Sequence, residues 1–553
     1  MTRVILVATL TLFTLLPGCI QPAAQPPRED IAVLFDGMGD HERPVTTTSP
    51  SAQRYFNQGL TWAYAFNHDE AIRSFKTAAR LDPDCAMAHW GVALCNGPHI
   101  NNMIVTPQRE KTAVEAVKRA QALRDKASLV ERALIDAVAT RYADPQPADR
   151  KPLDEAYAAA MQRVWQAYPN DVDVGSLYAE ALMDLQPWDL WNKDGSPKGR
   201  VTEIIEVLDA VLAISPNHPG ALHLYIHALE GSPTPEKAVA AADRLRDRVP
   251  QSGHLQHMPS HIDVQVGNWT KAADQNERAI VADTTYRAIM PTQGLYAGYM
   301  AHNAHFLMFA CMMEGRRERA VSAAREMLAR IPPGFIRDMP QFADPYMGAA
   351  IDALKRFGLW DDILREPPPP AGLPISKAMW HFSRGVAYAA KHQLGPAAVE
   401  QSAFRAAAKR VPPDALMGAN KGVTIMKIAD HVLAGEIAFA RGEIDAAVRE
   451  LREAVTIEDT LLYTEPPDWI QPVRHTLGAV LVSAGRHDEA EKVYREDLEH
   501  WPENGWSLFG LGKCLRSRGA TDEASRIEAR LAKAWARADT KIGASCLCVR
   551  ESN

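Results

Sequence analysis

Apolar residues recur at steps of three and four through nearly the whole chain, the spacing of helices with one buried face. Leu153-Asp-Glu-Ala-Tyr-Ala-Ala-Ala-Met161 shows it in one line. A longer period overlies this one. In residues 51–84 small residues stand at Gly59, Ala71 and Ala78, an aromatic at Phe75 and a closing proline at Pro83. The same placement returns with Gly267, Ala272 and Ala279; with Gly315, Ala320 and Pro332; with Gly385 and Ala397; and with Gly435, Gly442, Ala447 and Ala454. Two more units carry Gly478, Gly485, Ala490 and Pro502, then Gly512, Gly519 and Ala524. Small residues let two helices touch, the aromatic plugs the remaining gap, and the proline stops the second helix. Residues 219–250 form a looser unit, with Ala238 in place and one inserted residue within Gly231-Ser-Pro-Thr-Pro235. Between residues 86 and 215 the helical spacing persists while the small-residue code blurs, which predicts divergent helical hairpins.

This 34-residue code resembles the tetratricopeptide repeat. The resemblance implies an all-α fold, a right-handed α-solenoid of antiparallel helix pairs whose concave groove takes peptides or partner proteins. Phe66-Asn-His-Asp-Glu-Ala, Asp84-Cys-Ala-Met-Ala-His-Trp-Gly91 and His257-Met-Pro-Ser-His261 resemble a subset of exported bacterial tetratricopeptide proteins. A chain of 553 residues is too long for one compact core, and a solenoid resolves this because each repeat buries only its neighbours. The proline-rich stretch 366–370 divides an N-terminal solenoid, residues 51–365, from a C-terminal one, residues 371–540.

Residues 1–19 read as an export signal. Arg3 supplies the positive start, residues 4–16 the apolar core, and Leu16-Pro-Gly-Cys19 a small-residue cleavage site. That ending resembles the bacterial lipobox, so Cys19 is the expected lipidation site; ordinary secretion with Cys19 removed, or a simple anchor, is the alternative. Residues 20–50, polar and proline-rich, are expected to be a flexible tether. These features predict a lipid-anchored body in an extracytoplasmic space, periplasm-facing or at the cell surface, touching the membrane only through its anchor. Net charge is −7 and no basic run is interleaved with aromatics, so nucleic acid is not an expected partner.

Histidine changes the picture. In a tetratricopeptide unit the second, fifth, ninth and twelfth residues of the first helix look into the groove, since steps of three and four keep one face. His254 and His302 take the second place, His223, His257 and His305 the fifth, His227 and His261 the ninth, and Glu230 the twelfth. With 18 histidines in the chain, about 0.4 would fall on twelve such places by chance, against seven found. Paired imidazoles from three neighbouring helices can close on one or two transition ions. The alternatives are a polar groove that hydrogen-bonds a peptide, or ordinary packing. Imidazole-rich sites suit copper, zinc or iron; Met258, Met300, Met308 and a thiol pair tilt the choice to copper, and Glu230 tilts it back. Pro259 inside His257-Met-Pro-Ser-His261 should bend its helix.

His254 is a possible additional ligand, and His68, at the turn of the first repeat, a possible outer one. Six cysteines follow Cys19. Those at 85, 95, 311 and 514 lie in helical repeats and read as packed thiols. Cys546-Leu-Cys548 sits in a tail, residues 541–553, where it can ligate a soft metal, cycle redox, or form an exposed or disulfide-linked end. Residues 180–191 and 463–469 combine carboxylates with aromatics and can line a substrate pocket or anchor loops. No phosphate loop, nucleophile elbow or His-Glu-x-x-His helix appears, which narrows the enzyme classes. The leading expectation is a metal-dependent oxidoreductase acting on a small molecule or peptide, with Glu230 as ligand or base. A scaffold for envelope proteins and a metal chaperone are the alternatives.

Overall fold

The computed structural model describes residues 32–291 and 294–549; residues 1–19, the expected export signal with Cys19, and residues 20–31 lie outside the described residues. The fold is an all-α solenoid of antiparallel helix pairs of the tetratricopeptide type, with a single two-stranded hairpin, Leu416–Met417 against Asn420–Lys421, among the described residues. Helix Pro50–Tyr64 pairs with His68–Leu81, and the regular C-terminal pairs are Gly422–Ala440 with Ile444–Glu458, Val473–Ser483 with His487–His500, and Gly505–Ser517 with Thr521–Ala534. The small-residue code has a direct steric cause. A Cβ at Gly59 would stand 2.8 Å from the Phe75 ring, and one at Gly91 2.6 Å from the same ring. Phe75 thus fills the space that two glycines leave on consecutive hairpins. No described helix is long and apolar enough to cross a membrane.

The two lobes lie side by side along much of their length. Trp506 Nε1 donates to the Met312 carbonyl at 2.8 Å, Trp269 Nε1 to that of Pro502 at 2.9 Å, and Gln265 Nε2 to Glu465 Oε1 at 2.8 Å. Arg356 stacks on the Trp506 ring at 3.5 Å and donates to the Ser545 carbonyl. The proline-rich stretch therefore joins lobes that share a packed seam.

Two segments differ from expectation. Residues 32–49, assigned to a tether, run over the first hairpin. Ala32 and Phe35 are buried, Gln58 binds the backbone of Val33 and Phe35, and Arg43 pairs with Asp171 and Asp173 at 2.7 and 3.0 Å. Apolar anchors and an ion pair hold what composition alone marks as loose. The tail is also tucked in: Ser545 Oγ donates to the His475 carbonyl, and Cys546 and Cys548 are buried and joined as a disulfide.

Candidate metal centre

The groove histidines come from four helical pieces. Helix Pro219–Leu229 carries His223 and His227 one turn apart on one face, with Glu230 at its end. The next first helix is broken at Met258 into Gly253–His257 and Pro259–Gln265, because Pro259 has no N–H to continue the ladder. The break turns His257 and His261 toward each other. Helix Tyr296–Met313 brings His302.

Two clusters result: His223, His227 and His254, and His257, His261 and His302, each with ligand atoms within 4.8 Å of one another. They share a wall, with ring centres 5.9 Å apart for His227 and His261 and 6.0 Å for His254 and His257. In the first cluster, Nδ1 of His223 lies 2.7 Å from the Tyr64 carbonyl and Nδ1 of His227 2.8 Å from Glu230 Oε1. In the second, His257 Nδ1 is 2.7 Å from Asn276 Oδ1, and the amide is oriented because Asn276 Nδ2 donates to the Ala272 carbonyl. His261 Nδ1 meets Glu230 Oε2 and lies 2.8 Å from Glu465 Oε2.

Every one of these Nδ1 atoms faces an acceptor, so each carries a proton, and wherever the ring is neutral a lone pair is left on Nε2. Those lone pairs point at each other: Nε2 to Nε2 is 3.0 Å for His223 and His227 and 2.6 Å for His257 and His261. Two bare nitrogens at such distances repel unless a cation stands with them. Nitrogens sharing a tetrahedral ion with bonds of about 2.0–2.1 Å sit about 3.4 Å apart, so a small adjustment admits a metal; a proton is the other candidate. His254 adds a separate sign. It is 2% exposed and neither ring nitrogen has a hydrogen-bond partner. Buried polar groups are rarely left so.

The electrostatics favour the ligand form of four rings and work against it at His261. Burial, reinforced by neighbouring imidazoles, holds His223, His254, His257 and His302 well below the usual imidazole range. Burial pushes Glu230 up, but His261 and His227 outweigh it and keep it a carboxylate. Burial likewise opposes protonation of His261, but Glu230 with Glu465 overcomes it and raises the ring to about 10, so an ion between His257 and His261 must displace a proton held there. Aromatic rings complete the walls. Phe66, held at φ 56°, packs on His223 at 4.5 Å; Trp188, at φ 62° and half-exposed, stands edge-on to His227 at 5.2 Å; Phe306 lies 4.9 Å from both His257 and His261.

Several expected roles change. Glu230 sits behind the imidazoles with each oxygen engaged by an Nδ1, which gives it a positioning role, and with His261 and Glu465 it forms a third group whose ligand atoms lie within 4.8 Å of one another. His305 packs edge-on to Tyr346 at 5.7 Å and stands outside both clusters, and His254 takes the third place beside His223 and His227. His68 pairs with His99 at 4.5 Å, with the Phe66 ring between His99 and His223. Cys546 and Cys548 lie beside Glu436 in the C-terminal lobe and form no lid over the groove. Glu465 was visible only as part of an acid and aromatic segment, since nothing local in Tyr463-Thr-Glu-Pro-Pro-Asp-Trp469 points 200 residues back to the groove. Asn276 and the Tyr64 carbonyl carried no signal at all. A further trio, His41, Asp173 and His218, converges on one carboxylate that also accepts from Tyr64 and pairs with Arg43, which makes it a saturated clamp for residues 32–49.

No family model matches the chain, and neither does any curated protein. Among solved structures, the chain aligns over 87% of its length with 76% of a chain in the crystal structure of the APC/C hetero-tetramer Cut9-Hcn1, at 14% identity and a TM-score of 0.32. It aligns over 88% of its length with 91% of a chain of the human IFIT1 dimer with PPP-AAAA, again at 14% identity and 0.32. Likeness this distant transfers no ligand or partner.

Proposed function

We propose that this chain is a metalloprotein whose two adjacent three-histidine clusters hold a pair of transition ions, serving a metal-dependent oxidoreductase that acts on a small molecule at the groove. The observation that carries the reading is the pair of Nε2–Nε2 contacts, His223 with His227 and His257 with His261, with the Nδ1 of those four rings already committed. Copper is favoured. The facing donors are nitrogen only, and a given nitrogen site binds Cu²⁺ more tightly than Zn²⁺ or Fe²⁺. The sulfur side of the earlier expectation drops out, because the thiol pair lies elsewhere and Met258, Met300 and Met308 are core residues. A bound ion would supply redox or Lewis-acid chemistry. The chain's own residues orient the rings: Glu230 fixes His227 and His261 together, Asn276 fixes His257, and the aromatic walls exclude bulk water.

The test is metal analysis of residues 20–553, expressed without a polyhistidine tag, beside His257→Ala/His261→Ala. About two equivalents of copper, reduced by at least one in the variant, support the reading. A protein that stays metal-free after reconstitution and remains folded leaves a scaffold for partner proteins. A metal that passes readily to a chelator with no turnover leaves a chaperone. The extracytoplasmic anchor is proposed separately: Cys19→Ala should abolish fatty-acid labelling and release the protein from the membrane fraction.

A further inference from the structure

A second site, unconnected with the histidines, lies where the end of the N-terminal lobe, the C-terminal lobe and the tail meet. A narrow cavity there, with room for about one water until Trp360 swings aside, is walled by Lys355, Trp360, Phe382, Glu436, Trp469 and both tail cysteines, among others, and Trp360 is the one residue of its wall that is not fully buried. The Cys546–Cys548 disulfide forms part of its floor. Glu436 Oε1 lies 4.0 Å from Cys546 Sγ, and Gln471 Nε2 lies 3.9 Å from the same sulfur. Trp469 Nε1 and Gln471 Oε1, each on a residue more than nine-tenths buried, have no hydrogen-bond partner. Lys355 Nζ stands over the Phe382 and Trp469 rings at 4.8 and 5.2 Å. Burial pushes Glu436 up to about 8, partly offset by Lys355, so at neutral pH it holds a proton beside the sulfur. A purely structural disulfide needs no buried acid, buried amine and unpartnered donor and acceptor around it.

We propose that Cys546 and Cys548 are a redox-active pair that exchanges electrons with a small-molecule thiol entering past Trp360. The thiolate of one RSH attacks Cys548 Sγ, the Sγ–Sγ bond breaks, and Cys546 leaves with the bonding pair and takes the proton of Glu436. This leaves a Cys548–S–R mixed disulfide and a Glu436 carboxylate facing Lys355. A second RSH, as its thiolate, attacks the R sulfur and releases Cys548 as a thiolate; of the two protons the RSH molecules shed, one goes to Cys548 and one restores Glu436. In total two RSH become RSSR, two electrons and two protons reach the protein, and both cysteines end as thiols. Cys546 is assigned as the leaving sulfur because Glu436 stands beside it.

The experiment places the folded protein, from residue 20 onward, in dithiothreitol and then in reduced and oxidised glutathione, and traps thiols by alkylation and peptide mass mapping without denaturant. The other four cysteines are buried, with their thiols pushed up by burial, and should not react. The expected result is rapid, reversible alkylation confined to Cys546 and Cys548, slowed at least about tenfold in Glu436→Gln and absent in Cys548→Ser. A disulfide that opens only in denaturant overturns the proposal, and the wild-type measurement alone decides this should either variant fail to fold. Reduction as fast in folded Glu436→Gln as in wild type overturns the role of Glu436. Metal content bears on neither result, so the groove reading and this one fail separately.

Discussion

Two buried histidines, one in each lobe, separate a ring that is finished from one that is waiting. His475 lies in the C-terminal lobe with Nε2 2.9 Å from Asp497 Oδ2 and Nδ1 3.1 Å from Arg356 Nη1. Arginine can only donate, so Nδ1 accepts and Nε2–H donates to the carboxylate; one neutral ring satisfies both neighbours. His254 in the N-terminal lobe is buried to a similar degree and satisfies none. The four paired groove rings lie between these extremes, each with Nδ1 spent and Nε2 turned to another imidazole. The same residue type in the same repeat therefore serves packing in one lobe and presents a bare donor in the other, and what differs is the acceptor placed behind it.

Substitution should separate the two kinds. The largest effect is expected at His475→Ala, which removes the neutral ring that bridges buried Asp497 and Arg356 and leaves both charges without it; urea unfolding should show a loss of about 3–5 kcal/mol with no change in metal content. Glu230→Gln comes next. An amide can accept from one Nδ1–H but must turn an N–H toward the other, so competition titration should show ion affinity falling about 10–100-fold with stoichiometry retained at saturation. Glu465→Gln should weaken only the cluster of His257, His261 and His302. His254→Leu should cost one ion yet leave the metal-free protein as stable as before or more so by up to about 1 kcal/mol, because it removes an unpartnered polar group. A destabilised metal-free His254→Leu protein would mean that its ring is packing after all.

The smallest effect concerns acid. Burial holds His68 down to about 3 and His305 to about 4, against about 6.5 in an unfolded chain. Both are lowered, so the unfolded chain binds more protons between those values, and their contribution is complete above pH 6.5 and lost as pH falls through 4 and then 3. The gap in urea midpoint between wild type and His68→Gln/His305→Gln should change in that window and stay level above it.

Much of the scaffold could be read from the chain because repeat packing is local. Gly59 and Phe75 meet across a single hairpin, so their spacing encodes their contact. His223 and His227 are likewise legible as one helical turn. His302 and His305 show where this stops: two residues three apart on a helix share a face, yet one reaches the cluster and the other turns to Tyr346, a choice set by neighbouring helices and not by spacing. Glu465 depends on the seam between lobes, which no periodicity records. Residues 32–49 defeat composition for a related reason, since Phe35 and Arg43 find their partners on surfaces made elsewhere.

That seam bears on how the molecule comes apart. An open array of repeats melts piecemeal, each unit supported only by its two neighbours, and its ends fray first. Here Trp506 is tied to Met312 and Gln265 to Glu465, so units far apart in sequence must separate together. Unfolding should then approach a single concerted transition, and an ion seated against His261, which leans on Glu465, would raise the melting temperature of both lobes at once, by about 2.7 kcal/mol of added stability at one hundred times its Kd.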